Sequence, residues 1–195
     1  MAAERWLVVG LSNPEAEYAG TRHNVGADIV RLLAARLGAS FKPHKAGARI
    51  ADTYNRASGG AGGTALSLVI PSGYMNESGG PVQRAAAFYK TPHQRLVVVH
   101  DDLDLAVGTL RLKRGGGTAG HRGLRDIQQR TGSADFYRVR VGIGRPPGRM
   151  DPADYVLKRF RGGEREEIDI VAERAADAVL DLIALGLEAA QNRHH

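Results

Sequence analysis

The 195-residue chain contains no cysteine, which excludes disulfides, thiolate metal ligands and a cysteine nucleophile. No apolar stretch approaches the length of a membrane span. Met1, Ala2 and Ala3 lead straight into charged Glu4 and Arg5 rather than into the apolar core of a secretory leader. A cytoplasmic protein with no membrane association is therefore expected. Internal repeats, coiled-coil heptads and long low-complexity tracts are missing too, which sets aside solenoid and fibrous architectures.

What is present is ordinary globular material, 43% hydrophobic and 25% charged, so disorder is not expected. The length suits one domain spanning 1–195, with enough residues for a sheet covered on both faces. Net charge is +6, and Arg111, Lys113, Arg114, Arg122, Arg125, Arg138, Arg140, Arg145 and Arg149 fall in one central region. Such clustering points to a polyanionic partner, against the simpler alternative of a solvated basic face.

The apolar run Leu7 to Leu11 suits a buried strand that ends near Asn13, because Pro14 offers no ladder N–H. Ile29, Val30, Leu32, Leu33 and Leu37 at helical spacing place a helix directly after His23, stopped at Gly38. Arg49–Arg56 and Thr64–Ile70 read as a hairpin joined by the loop Gly59, Gly60, Ala61, Gly62, Gly63. A helix at Val82–Tyr89, a buried strand at Leu96–Val99 and a strand near Thr109–Lys113 follow. Next come a short helix at Leu124–Gln129, a strand at Tyr137–Ile143, a proline-rich loop from Gly144 to Pro152 and one amphipathic helix over Glu164–Gln191. Strands alternating with helices around one hairpin give an α/β fold: a single domain with a twisted mixed β-sheet flanked by α-helices.

Three predicted strands run into polar side chains of little packing value: Asn13, then Tyr74 and Asn76, then Asp101. If those strands are parallel, their carboxyl ends converge where open α/β sheets place sites. His23 then supplies a base, and Asp101 a carboxylate that fixes an imidazole tautomer and stabilises the imidazolium. Such a pair hydrolyses an activated ester with water as nucleophile and no cofactor. The bland alternative makes Asn13 a turn cap and His23 a surface histidine. A covalent route through Ser72 or Ser78 lacks the Gly-x-Ser-x-Gly elbow. A metal cluster from His100, Asp101, Asp102, Asp104 and His121 has no ligand spacing of a known loop, so no metal is expected.

Gly115 to Gly120 formally matches Gly-x-Gly-x-x-Gly, but no acidic ribose-binding residue follows the next strand, which argues against a nucleotide-dependent oxidoreductase. Backbone N–H groups at the following helix start are expected instead to receive a phosphate or ribose edge. His194 and His195 form a terminal pair with no evident acid and no expected role.

Four blocks in order carry a resemblance. They are Val9-Gly10-Leu11-Ser12-Asn13-Pro14 with Tyr18 and Thr21-Arg22-His23-Asn24-Val25-Gly26, then Tyr74-Met75-Asn76-Glu77-Ser78-Gly79, then His100-Asp101-Asp102-Leu103-Asp104-Leu105, then Gly115 through Leu124. From Leu7 to about Pro146 the chain closely resembles the bacterial-type peptidyl-tRNA hydrolases. The resemblance implies a monomer that cleaves the ester between a peptide and the 3′ ribose of tRNA, recycling the tRNA, with no cofactor. It implies His23 as general base, Asp101 as its carboxylate, and Asn13 as the contact that separates blocked from free aminoacyl groups. Tyr18, Tyr74, Asn76 and His121 are implied to line the substrate site, and Lys113 and Arg140 to hold the tRNA 5′ phosphate. The chain departs from the family pattern at Ser12, Tyr74, Glu77 and Arg122. Arg122 stands where the family usually has an asparagine with a tRNA-binding role. A noncatalytic RNA-binding relative is the competing expectation, and the joint presence of base and carboxylate favours the enzyme.

Overall fold

The opening apolar run forms strand β1 (Arg5–Gly10), with Leu7, Val8 and Val9 all fully buried, as a strand covered on both faces requires. The computed structural model describes residues 4–57 and 62–195, so Gly59, Gly60 and Ala61 of the expected hairpin loop lie outside the described residues. β1 pairs in parallel with β4 (Thr64–Pro71) on one side and β5 (Leu96–Asp102) on the other. β5 pairs in parallel with β7 (Tyr137–Gly142). Antiparallel strands complete the sheet: β3 (Ala48–Asn55) on β4, β2 (Lys42–His44) on β3, and β6 (Leu110–Arg114) on β7. The order is β2-β3-β4-β1-β5-β7-β6. The mixed α/β sheet and the hairpin are as expected; β2 is an addition, because three residues with a central proline carry no strand pattern.

Alternate residues of β1 feed two cores. Val8 packs with Ile29 and Leu33 of α2 (Val25–Arg36) and with Val179 and Leu182 of α6 (Gly163–Leu185). Leu7 and Val9 pack on the other face with Val82 of α3 (Gly79–Tyr89) and Ile127 of α4 (Arg122–Thr131). Each such side chain contributes about 1.5–3 kcal/mol on burial, which is what fixes the helices to the sheet. Two single-turn helices, α1 (Glu15–Tyr18) and α5 (Pro152–Tyr155), are too short to show periodicity and were not expected.

Two expectations about the C-terminal region are corrected. The single helix over Glu164–Gln191 is broken at Gly186, whose φ of 89° no helix interior adopts, into α6 and α7 (Leu187–His194). Nor is the terminal histidine pair idle. His194 Nε2 lies 2.8 Å from Asp181, while His195 Nε2 accepts the Leu112 N–H at 2.8 Å on the free edge of β6. Gln191, four residues earlier and so on the same helix face, donates to Leu112 O at 2.9 Å.

β1 ends at Gly10 rather than at Asn13 because α2 arrives there. A Cβ on Gly26 would lie 2.2 Å from Val99 O, and one on Gly10 would lie 2.6 Å from Gly26 O. Only glycine lets the start of α2 press onto the sheet end, and this contact brings the turn before α2 to the end of β5. β5 itself runs past Val99 to Asp102, so Asp101 sits inside the strand rather than after it.

Candidate active site

The carboxyl ends of adjacent parallel strands β4, β1 and β5 deliver their polar residues to one cavity of about 640 Å³. Asn13, Tyr18, His23, Tyr74, Asn76, Asp101, Lys113, His121, Arg122 and Arg140, the ten residues singled out in the sequence, all line it.

Asn13 follows β1 and is held at three points. Its N–H donates to Asn24 Oδ1 at 2.8 Å, its carbonyl accepts from Asn24 Nδ2 at 3.1 Å, and its Oδ1 accepts the Met75 N–H at 2.8 Å. With the side-chain oxygen committed, the amide Nδ2 is the group left to the cavity, a donor without a partner among the described residues. Asn24, whose role the sequence did not reveal, is thus the residue that orients Asn13.

His23 occupies the single 3₁₀ turn Arg22–Asn24 that precedes α2, and its Nδ1 lies 2.8 Å from Asp101 Oδ2. The second carboxylate oxygen, Oδ1, lies 2.8 Å from His121 Nε2. His121 caps α4: its Nδ1 accepts the N–H groups of Gly123 and Leu124 at 3.1 and 3.3 Å. That nitrogen is therefore unprotonated, the proton sits on Nε2, and Nε2 donates to Asp101. Because an ionised carboxylate only accepts, His23 donates from Nδ1 and keeps its lone pair on Nε2.

Asp101 is 3% exposed. Burial works against its charged form, but facing His23 and His121 with a hydrogen bond to each holds the carboxyl well below the usual carboxylate range. Beneath it His100 donates from Nδ1 to the Asp101 carbonyl at 2.8 Å, and its Nε2 is buried with no partner. Burial, with the adjacent His121, drives the His100 ring down to about 3, so it is neutral. His23, Asp101 and His121 also offer ligand atoms within 4.8 Å of one another, the one such cation-sized set among the described residues. Hydrogen bonds account for that closeness, with both histidine protons shared onto the carboxylate. The ligand set considered in the sequence, with Asp102 and Asp104, does not assemble: Asp102 accepts from Arg140 Nε at 2.8 Å and Asp104 from Arg145 Nε at 3.1 Å.

Toward β7 and β6 the cavity is cationic. Arg138 and Arg140 alternate on β7 and so share a face, and the register sets Lys113 beside Arg138. Arg138, 1% exposed, donates to the carbonyls of Gly116 and Gly117. Lys113 has no ion pair with a carboxylate among the described residues; burial, then the charges of Arg140 and Arg138, push its pKa down. Arg122, at the exposed first position of α4, is likewise without a partner among the described residues. The rest of the central arginine group is elsewhere: Arg114 pairs with Asp135, and Arg111, Arg125 and Arg149 do not line the cavity. Toward β4 and β1 the wall is apolar, with Tyr18 and Tyr74 in edge-to-face contact at 6.4 Å and Val156 and Leu157 completing it.

The glycine run is in part turned away from the N–H cradle expected of it. Its carbonyls at Gly116 and Gly117 are turned toward Arg138, and the helix-start N–H groups of Gly123 and Leu124 are spent on His121. Neither serine hydroxyl is a nucleophile in this arrangement. Ser78 Oγ is buried and donates to Met75 O at 2.6 Å, and Ser72 is outside the cavity. Arg138 stood in the sequence only as one of the central basic group, and the Arg-x-Arg alternation on a strand was the signal that places it beside Arg140.

The model of the peptidyl-tRNA hydrolase family matches residues 7–195 of the chain. A peptidyl-tRNA hydrolase of Frankia casuarinae is 54% identical over 190 residues, covering 97% of this chain and 93% of its own. One of Mycobacterium tuberculosis is 53% identical over 194 residues, covering 99% and 98%. The crystal structure of peptidyl-tRNA hydrolase from Acinetobacter baumannii superposes with a TM-score of 0.87 at 34% identity, over 99% of this chain and 95% of the other.

Proposed function

The chain belongs to the peptidyl-tRNA hydrolase family and hydrolyses peptidyl-tRNA, and we propose that it does so with water activated by His23. The observation that carries this reading is the double acceptance by Asp101, which commits Nδ1 of His23 and frees Nε2 as a base. Nε2 takes a proton from water, and the oxygen attacks the ester carbonyl joining the peptide to the 3′ ribose. Asp101 stays ionised and stabilises the imidazolium. The tetrahedral intermediate collapses, the ribose oxygen leaves with the proton returned from Nε2, and free peptide and reusable tRNA result.

The polarity of the cavity orients the substrate. Lys113 and Arg140 hold the 5′ phosphate of the tRNA at the cationic end, and the 3′ terminus crosses the end of β5 to reach His23. The peptide lies along Tyr18, Tyr74 and Asn76. The free amide donor of Asn13 suits the carbonyl that an acylated amino group presents and finds no acceptor in a free ammonium, so it separates blocked from unblocked substrates. His121 is a positioning residue for Asp101, and Arg122 adds charge against a phosphate. No helix among the described residues is long and apolar enough to cross a membrane. We read the protein as a cytoplasmic monomer with tRNA as its partner.

The test is release of peptide from N-acetyl-aminoacyl-tRNA compared with release of amino acid from unblocked aminoacyl-tRNA. Turnover of the first alone is expected. Equal turnover of both would remove the role given to Asn13, and binding of tRNA without turnover of either would favour a noncatalytic RNA-binding protein.

A further inference from the structure

Arg22 is 3% exposed, yet it is a charged residue directly before the base. Its guanidinium sits 4.0 Å over the ring of Tyr155 and 5.5 Å from that of Phe160. Nη1 donates to the carbonyls of Tyr155 and Lys158 at 3.4 and 3.2 Å, and Nη2 donates to Glu164 Oε1 at 2.9 Å. The main chain repeats the connection. Arg22 N–H donates to Lys158 O at 3.0 Å, His23 N–H donates to Val156 O at 2.8 Å, and Thr21 forms an isolated bridge with Arg159.

The segment 155–160 belongs to no strand of the sheet; besides these contacts it is held by the Tyr155 hydroxyl bond to Ile143 O and by the small core of Ile143, Tyr155 and Val156. Val156 and Leu157 of that segment line the cavity, and the Val156 carbonyl holds the backbone of His23. One guanidinium thus fixes both the base and the wall beside it. A fork that meets two carbonyls and a carboxylate while stacking on an aromatic ring is something lysine cannot reproduce.

We propose that Arg22, anchored by Glu164, is a positioning residue that sets the orientation of His23 relative to Asp101 and ties it to the Val156–Leu157 wall. This rests on the reading of His23 as general base. The tRNA-binding cations lie across the cavity on β6 and β7, so loss of the anchor acts on the chemical step and leaves affinity for tRNA alone unchanged.

The test compares Arg22→Lys, Glu164→Gln and His23→Ala with the unaltered protein. It reads kcat on N-acetyl-aminoacyl-tRNA, binding of deacylated tRNA, and the low-field proton signal of the His23–Asp101 hydrogen bond. Folded Arg22→Lys is expected to lose kcat by about 10- to 100-fold, the scale on which misplacement by an ångström acts. Binding of deacylated tRNA should be unchanged and the low-field signal lost. Glu164→Gln keeps an acceptor oxygen and is expected to lose kcat only a few-fold with the same binding; it carries the test if Arg22→Lys does not fold. Wild-type kcat per folded molecule with an intact low-field signal, in whichever variant folds, overturns the proposal. Full turnover by His23→Ala overturns instead the reading on which it rests, and the proton signal still reports the positioning directly.

Discussion

His121 Nε2 donates to the one Asp101 oxygen that His23 leaves open, 2.8 Å away, while its other nitrogen caps α4. Asp101 thereby accepts on both oxygens, and the tautomers of both histidines are fixed without any further group.

Asp101→Asn offers one acceptor oxygen where two N–H groups need one each, so one histidine loses its partner or turns over. Turnover should fall by about 10- to 1000-fold, less than on removing the base itself, since imidazole keeps its nitrogen. An unchanged kcat in Asp101→Asn would show that the tautomer is set elsewhere.

Asn13→Asp keeps the acceptor that holds Met75 N–H but replaces the free donor with a second acceptor. Selectivity for blocked over free aminoacyl-tRNA should shrink by about tenfold or more, the effect of about 1–3 kcal/mol from an unmet polar contact. The ratio of the two kcat/KM values checks it, and an unaltered ratio would remove Asn13 from recognition.

Arg122 stands exposed, with no partner among the described residues, where the cavity meets α4. If it neutralises one phosphate, Arg122→Asn should flatten log affinity against log salt by about 0.7–0.9, as should Lys113→Ala and Arg140→Ala, with kcat at saturation unchanged. A slope that moves in the latter two only would place the Arg122 side chain in solvent.

His100 is neutral in the fold because burial and His121 drive it down to about 3, against 6.5 for an ordinary histidine. Between those values the unfolded chain takes up a proton that the folded chain refuses, so stability falls as pH drops through 6.5 toward 3. The penalty is about 2 kcal/mol at pH 5. His100→Gln should lose less of its stability between pH 7 and pH 5 than the unaltered protein, measured by urea unfolding at each pH. Parallel losses in the two proteins would contradict this.

The central strands were legible because runs such as Leu7 to Val9 and Val97 to Val99 have no alternation and must be buried on both faces. The convergence of Asn13, Asn76 and Asp101 was legible once parallel order was assumed. What was not legible depends on contacts distant in sequence. Nothing local marks Asn24 as the clamp on Asn13, or His121 as a cap that also serves Asp101. The idle look of His195 came from having no acid nearby, whereas its partner is a backbone N–H of β6, to which no side-chain pattern points. Gly186 looked like one more small residue in a helical pattern; its positive φ is a property of how α7 must turn back onto β6.

The most direct measurement is peptide release from N-acetyl-aminoacyl-tRNA by His23→Ala, alongside its binding of deacylated tRNA. Turnover should fall by about two to four powers of ten, as for removal of a general base, with tRNA affinity intact. Near-normal turnover by the folded variant would contradict the role of His23 as base, because both nitrogens of His121 are committed and the other unpartnered ring nitrogen, His100 Nε2, is buried.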